Sequence, residues 1–303
     1  MSETNLDKAS IIASIDIGSN SSLLLAARTF REDNMVRLQP VIQKATTCRL
    51  GQDLHEHNVI QPERIKELKQ LLTRYRQTVH NIEGKIKRVV LTEAVRKAEN
   101  QEEIVQVVRD ALWVEPEILS GAEEAKLGWT AVASLYQQED QGLVSLDIGG
   151  GSTELSNGED FISMPMGALK LTKMFGSIPN QELSAYLTAE ISPDDLKPFA
   201  GQNLILTSGT ATALGMLHQN LGGFDEDKIE GYEITAEAVN EVIQHLSDLS
   251  QDIRNQLPGL EGGRGEIILC GLHLMKFIIN TLKPSSTRIS TRGLRFGALF
   301  ECV

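Results

Sequence analysis

The sequence predicts an α/β fold made of two related domains. Three observations carry this. Short apolar runs alternate with stretches of helical periodicity along all 303 residues. The segment 143–155, LVSLDIGGGSTEL, repeats the pattern of 12–24, IASIDIGSNSSLL, around an identical S-x-D-I-G core. Hydrophobic residues make up 41% and charged residues 23%, a globular balance with ample apolar material for a core.

Taken in order, the run 11–17 stops at Gly18-Ser19-Asn20-Ser21 and resumes at 23–27, which spells a hairpin with a turn of small polar residues. Pro62 opens a helix in which Ile65, Leu68, Leu71, Leu72 and Tyr75 fall on one face. A strand at 88–91 follows, then helix over 92–112 with a restart at Asn100, where Glu103 has capping-box spacing. A strand at 114–119 leads to a helix opening at Ser120. The second hairpin at 143–155 precedes a turn and helix at 167–175, a strand at 203–206, the turn Thr207-Ser208-Gly209-Thr210, and a helix through Leu217. A loop at 221–232, helices at 236–246 and 266–282, a strand at 288–290 and a short helix complete the chain. No low-complexity linker separates the halves.

Charge and composition exclude several functions. With 29 basic against 41 acidic residues the net charge is −12, which opposes general nucleic-acid binding but leaves room for a small or linear polyanion in a local basic site. Cys48, Cys270 and Cys302 are far apart without metal-ligand spacing, so the expectation is reduced, buried, inert thiols in a cytoplasmic protein. The N-terminus, MSETNLDKAS, has no apolar signal core, and the apolar stretch 267–279 is interrupted by His273 and Lys276 and is short for a bilayer; no membrane association is expected. The histidines (His55, His57, His80, His218, His245, His273) form no metal-binding pattern.

The two Asp-Ile-Gly turns hold the candidate chemistry. Glycines at Gly18, Gly149, Gly150 and Gly151 let backbone N–H groups approach phosphate oxygens. Asn20 and the hydroxyls of Ser19, Ser21, Ser152 and Thr153 add polar groups, and Asp16 and Asp147 at the strand ends suit Mg²⁺, which prefers oxygen ligands shared with phosphates. One such turn reads equally as an ordinary hairpin with a capping aspartate; two copies, with a third small-residue turn at Ser208, Gly209 and Thr210, favour a phosphate clamp. In LSGAEEAKLGW, Glu123 has the capping-box place relative to Ser120, which leaves Glu124 without that structural duty. Glu124 then reads as a solvated glutamate or, beside phosphate loops, as a base on water. Glu154 reads as a metal or water ligand or as a strand-end charge. Arg96, Lys170, Arg264 and Arg295 are candidate phosphate clamps against the alternative of weak surface pairs.

These segments together resemble the exopolyphosphatase / guanosine pentaphosphate phosphohydrolase family of the actin-like superfamily. The resemblance rests on SIDIGSNSSLLLAA (14–27), TEAVRKAEN (92–100), ILSGAEEAKLGW (118–129), VSLDIGGGSTEL (144–155), MPMGALKLT (164–172), LTSGTATAL (206–214), PGLEGGRGEIILCG (258–271) and ISTRGLRFGAL (289–299). It implies two actin-like, ribonuclease H-like domains, 1–122 completed by the C-terminal helix 291–303, and 123–290, with a phosphate-binding cleft between them. It implies Mg²⁺-dependent hydrolysis of a terminal phosphoanhydride of inorganic polyphosphate or guanosine pentaphosphate. The family's base falls on Glu124, its trailing glutamate on Glu154, and its TxAxR arginine on Arg96. A homodimer follows from family habit alone.

The chain departs from the family pattern at Leu23, where a basic residue or histidine is common, at Lys170 in place of arginine, at Leu206 in place of glycine, and at Phe296 in place of glutamate. These departures bear on substrate preference. The chain ends without the helical C-terminal domain of longer members, which suits the short two-domain form. Two other functions share the same clamp: a non-catalytic alarmone sensor that signals by closure, and a small-molecule kinase in which Ser208-Gly209-Thr210 would bind adenosine. Orthophosphate release, binding without release, and acceptor-dependent ATP consumption tell the three apart.

Overall fold

The computed structural model describes residues 10–32, 35–52, 54, 58–136, 142–179 and 181–303. The polar residues 1–9, His55 and His57 considered above lie outside these. The chain divides into two units, everything up to Ser120 together with Leu294–Val303, and Gly121–Gly293. Against the expected boundary at 122/123, the units divide at 120/121, and the helix that starts at Gly121 packs on the second unit's strands. The C-terminal return begins at Leu294, because Thr291 is bonded to Glu230 of the second unit.

The first unit runs β1 (Ile11–Ile17), β2 (Ser21–Glu32), β3 (Met35–Thr47), α1 (Pro62–His80), β4 (Lys85–Leu91), α2 (Glu93–Lys97), α3 (Gln101–Leu112) and β5 (Glu117–Ile118). Its sheet order is β3-β2-β1-β4-β5; β1, β2 and β3 are antiparallel, and β1, β4 and β5 are parallel. The β1–β2 turn closes as its residues require, with Gly18 N donating to Ser21 O at 2.9 Å. Sequence reasoning had no β3. That strand is the sheet edge, so it keeps Gln39, Lys44 and Thr46 and tolerates Pro40 beside a register shift opposite Ala26 and Ala27, which blurs the alternation. The expected helix 92–112 is broken at Ala98, whose ψ of 135° is extended. Asn100 does head α3 but does not cap it. Its side chain bonds both the N–H (2.9 Å) and the C=O (3.0 Å) of Ile60 instead, so the capping box expected there is absent. Ile15, Ile17, Leu24, Leu68, Leu72, Val89 and Ile104 form this unit's core.

The second unit runs α4 (Gly121–Tyr136), β6 (Leu143–Ile148), β7 (Thr153–Ser156), β8 (Phe161–Met164), α5 (Ala168–Phe175), α6 (Gln181–Glu190), β9 (Asn203–Thr207), α7 (Ser208–His218), β10 (Tyr232–Glu233), α8 (Ala236–Ser247), α9 (Arg264–Leu282) and β11 (Ser286–Ile289). Its sheet, β8-β7-β6-β9-β11 with β10 added at the edge, has the first unit's order and the same change from antiparallel to parallel. The internal repeat read in the sequence is thus a repeat of topology. β8 escaped notice because four residues show no period. The Asn157-Gly158 turn before it was the available signal, and Asn157 Oδ1 accepts from the N–H groups of Glu159 and Asp160.

α9 is long and apolar enough by length and composition to cross a membrane, contrary to the shorter stretch expected; in this fold it is the second unit's central helix, burying Ile267, Leu269, Leu272, Leu274, Met275 and Ile278. The final helix, α10 (Leu294–Phe300), belongs to the first unit, where Ser14 Oγ donates to Arg295 O at 2.6 Å. Phe296, where the family pattern has glutamate, is fully buried there, and Leu206 is fully buried in β9. Burial pushes the Cys48 thiol up to about 12 and Cys270 to about 11, the inert behaviour expected; Cys302 differs in being only half-buried.

Candidate active site

Both Asp-Ile-Gly loops are tied from behind by their carbonyls. In the first unit, Asn20 O accepts from Cys48 N and Arg49 N (both 2.9 Å) and Ser19 O from Gly51 N (2.8 Å). In the second, Gly149 O accepts from Ala168 N (2.9 Å), and Gly150 O from Leu169 N (2.9 Å) and Lys170 N (3.1 Å), so the first turn of α5 holds the loop. Gly167 makes this approach possible: a Cβ there would lie 2.6 Å from the Gly150 carbonyl carbon. With the carbonyls engaged, the N–H groups of Ser19 and Asn20, and of Gly150, Gly151 and Ser152, donate to no backbone carbonyl among the described residues. A row of such N–H groups is the chemistry of an anion cradle.

Three of the hydroxyls have partners of their own. Ser19 Oγ donates to Glu93 Oε2 (3.0 Å), Thr153 Oγ1 to Met166 O (2.8 Å) and Thr210 Oγ1 to Ile148 O (3.5 Å). Each hydroxyl has one hydrogen, so in this conformation these three are engaged within the protein. Thr153 begins β7, Thr210 lies in the first turn of α7, and both are buried. Asn20 Nδ2 lies 3.3 Å from Ser21 Oγ, leaving both beside the first loop.

The carboxylates gather on the second unit's sheet. Strand register puts Glu154 of β7 opposite Asp147 of β6 on one side and Ser163 of β8 on the other, so the three side chains share a face. Ser163 Oγ donates to Glu154 Oε1 at 3.0 Å, and Thr207 Oγ1 of β9 to Asp147 Oδ2 at 3.0 Å. α4 lies over β6, β7 and β8, and Gly121 at its start has no room for a Cβ against Ser163 Oγ. Glu124, one turn in, is 8% exposed, whereas Glu123 is exposed. A carboxylate there also faces the positive end of the helix. Burial first, then the charges of Glu124 and Asp147, push the Glu154 carboxyl well above the ordinary range. Glu154 is therefore part of a buried acidic group, not a strand-end charge.

The basic candidates are engaged to different degrees. An Arg96 Nη donates to Leu119 O, Lys170 Nζ to Pro165 O, and Arg295 Nη2 to Gln43 Oε1 at 2.9 Å. Arg264 begins α9 beside the third turn, 3.5 Å from where a Gly209 Cβ would stand, and its guanidinium makes no hydrogen bond among the described residues. Burial lowers its pKa. Ser208, at φ 89°, holds a left-handed backbone unusual for serine, with Oγ buried and unpartnered. Sequence reasoning missed Glu93, Ser163 and Thr207. Glu93 stood in the TEAVR motif; the other two follow only from strand register.

Among the described residues no group of three or more Asp, Glu, His or Cys side chains could hold a metal ion, so there is no all-protein cage. Mg²⁺ keeps several waters and takes one or two carboxylates plus phosphate oxygens, so such a cage is not required. Asp147 and Glu154, cross-strand partners on one face of the sheet, are the pair of carboxylates that suits such an ion. Asp16, 8% exposed, ends β1 of the first unit in the corresponding place.

These features define a class: a protein of two actin-like α/β units, each with an Asp-Ile-Gly hairpin at the start of its sheet. Residues 29–303 match the Ppx/GppA phosphatase family, and the chain belongs to that family. It is 26% identical over 310 residues to the bifunctional 3-dehydroquinate synthase/phosphatase of Fusobacterium nucleatum subsp. nucleatum, covering 96% of this chain and 46% of that protein. The chain thus spans about half the length of that curated relative. Among solved structures, an Aquifex aeolicus Ppx/GppA enzyme is 25% identical with a TM-score of 0.77, over 96% of this chain and 99% of that one. An exopolyphosphatase from Cytophaga hutchinsonii, 20% identical with a TM-score of 0.85 over 96% and 97%, shares the fold.

Proposed function

We propose that the protein is a Mg²⁺-dependent phosphoanhydride hydrolase that releases terminal orthophosphate from inorganic polyphosphate or the 5′ phosphate from guanosine pentaphosphate. The observation that carries this is the buried Glu124 beside Glu154 and Asp147, in the unit whose glycine loop is held by its carbonyls from α5. Membership of a phosphatase family supports the reaction class, and the exopolyphosphatase of the same fold supports the substrate class. The second unit's loop N–H groups bind the terminal phosphoryl oxygens, with charge from Lys170 and Arg264. Water attacks the terminal phosphorus, its proton passes to Glu124, the bridging P–O bond breaks, and orthophosphate leaves. Glu154 and Asp147 are the residues of the second unit that would hold Mg²⁺, which would supply neutralisation of phosphoryl charge when bound.

The test is orthophosphate release with Mg²⁺ from long polyphosphate, short polyphosphate and guanosine pentaphosphate in parallel, with Glu124→Ala as control. Release from any substrate, reduced ~10²–10⁴-fold in the variant, is the expected result. Binding without release from all three would replace this function with that of a sensor.

A further inference from the structure

Glu93 has no part in the reaction just described, yet it is 6% exposed and lies directly behind the first loop. It begins α2 immediately after β4, where Thr92 N donates to Ile17 O at 3.2 Å and so fixes this turn to the end of β1. Its two carboxylate oxygens have separate partners: Oε2 accepts from Ser19 Oγ at 3.0 Å, and Oε1 from Lys97 Nζ at 2.5 Å, one helical turn on. Ser19 is itself 5% exposed, so the bond is shielded from water and charge-assisted.

We infer that Glu93 is a positioning residue of the first phosphate loop: it takes the only hydroxyl hydrogen of Ser19, fixes the loop's shape, and leaves backbone N–H groups as that loop's donors to a phosphate chain. The inference rests on the phosphate-binding role proposed above. A carboxylate behind an anion cradle would repel the ligand, and Lys97 offsets this by pairing with it at (i, i+4). In the second unit the buried Glu154 also accepts from a serine, Ser163 Oγ of β8, at 3.0 Å. There the glutamate faces Glu124 and Asp147 rather than a lysine. The contrast assigns Glu154 to the reactive group and Glu93 to the architecture of the loop.

The experiment measures Mg²⁺-tripolyphosphate binding by calorimetry and orthophosphate release for the whole protein and for Ser19→Ala, Glu93→Ala, the double variant and Glu93→Gln, with melting temperatures as folding controls. Ser19→Ala and Glu93→Ala should each weaken binding roughly tenfold, raising KM with kcat little changed, the weight of one charge-assisted hydrogen bond. The double variant should be no weaker than either single, since both remove the same contact. Glu93→Gln, whose amide oxygen still accepts the Ser19 hydroxyl, should stay within about twofold of the unaltered protein. Additive losses, unchanged binding in Glu93→Ala, or Glu93→Gln as weak as Glu93→Ala would overturn the inference. A failure of the parent function is separately visible: the unaltered protein would then neither bind nor release phosphate, and the inference would fall with it.

Discussion

Glu154 is displaced well away from its ordinary chemistry. Its folded pKa is raised by burial and by two neighbouring carboxylates, so folding takes up a proton at this site. The stabilising share of that proton is complete below the ordinary carboxylate value of 4.5 and is lost as pH rises through the raised value. In metal-free buffer, Glu154→Gln should melt with the unaltered protein near pH 4 and progressively above it toward pH 8, by about 2–4 °C for each kcal/mol of repulsion removed. Calorimetric scans across this range check the sign; a variant that melts lower at pH 8 than at pH 4, relative to the unaltered protein, contradicts it. Little of this was legible at the residue scale. Sequence singled out Glu124 by subtracting the capping position from EE, but the cross-strand line Asp147–Glu154–Ser163 exists only in register, which no spacing in the chain reveals.

At the scale of elements, the second loop depends on the first turn of α5. Gly167 has extended backbone that any residue adopts, φ −149° and ψ 172°, so the demand for glycine is one of space. Gly167→Ala should push Gly150 away from α5, cost about 1–3 kcal/mol as other overpacked sites do, and weaken tripolyphosphate binding. Melting temperature and calorimetric affinity measured together test this; loss of stability with full affinity would separate the loop from binding. The hairpins were readable because Gly, Ser and Asn mark turns by backbone chemistry. The hydroxyl roles were not. Ser19, Thr153 and Thr210 look like donors in sequence, and their partners lie 74, 13 and 62 positions away in the chain.

For the molecule as a whole, the duplicated S-x-D-I-G core announced two copies of one sheet, and the order β3-β2-β1-β4-β5 recurs as β8-β7-β6-β9-β11. The third strand of each copy was hidden, one by its polar edge and one by its brevity. The first unit is completed by α10, which buries Leu294, Phe296, Ala298 and Leu299 and joins Arg88 to Glu301 at 2.6 Å. Removing 294–303 forfeits roughly 1.5–3 kcal/mol for each large apolar side chain exposed. Hydrogen exchange should then show β1 and β4 losing protection while α9 of the second unit keeps its own. Equal loss in both units would contradict two separate cores.

The most direct test of the central claim is the turnover of Glu124→Gln, an isosteric change that keeps the helix and removes the base. With Mg²⁺ and the preferred substrate, kcat should fall ~10²–10⁴-fold while KM moves little. Turnover close to that of the unaltered protein would show that another group activates the water.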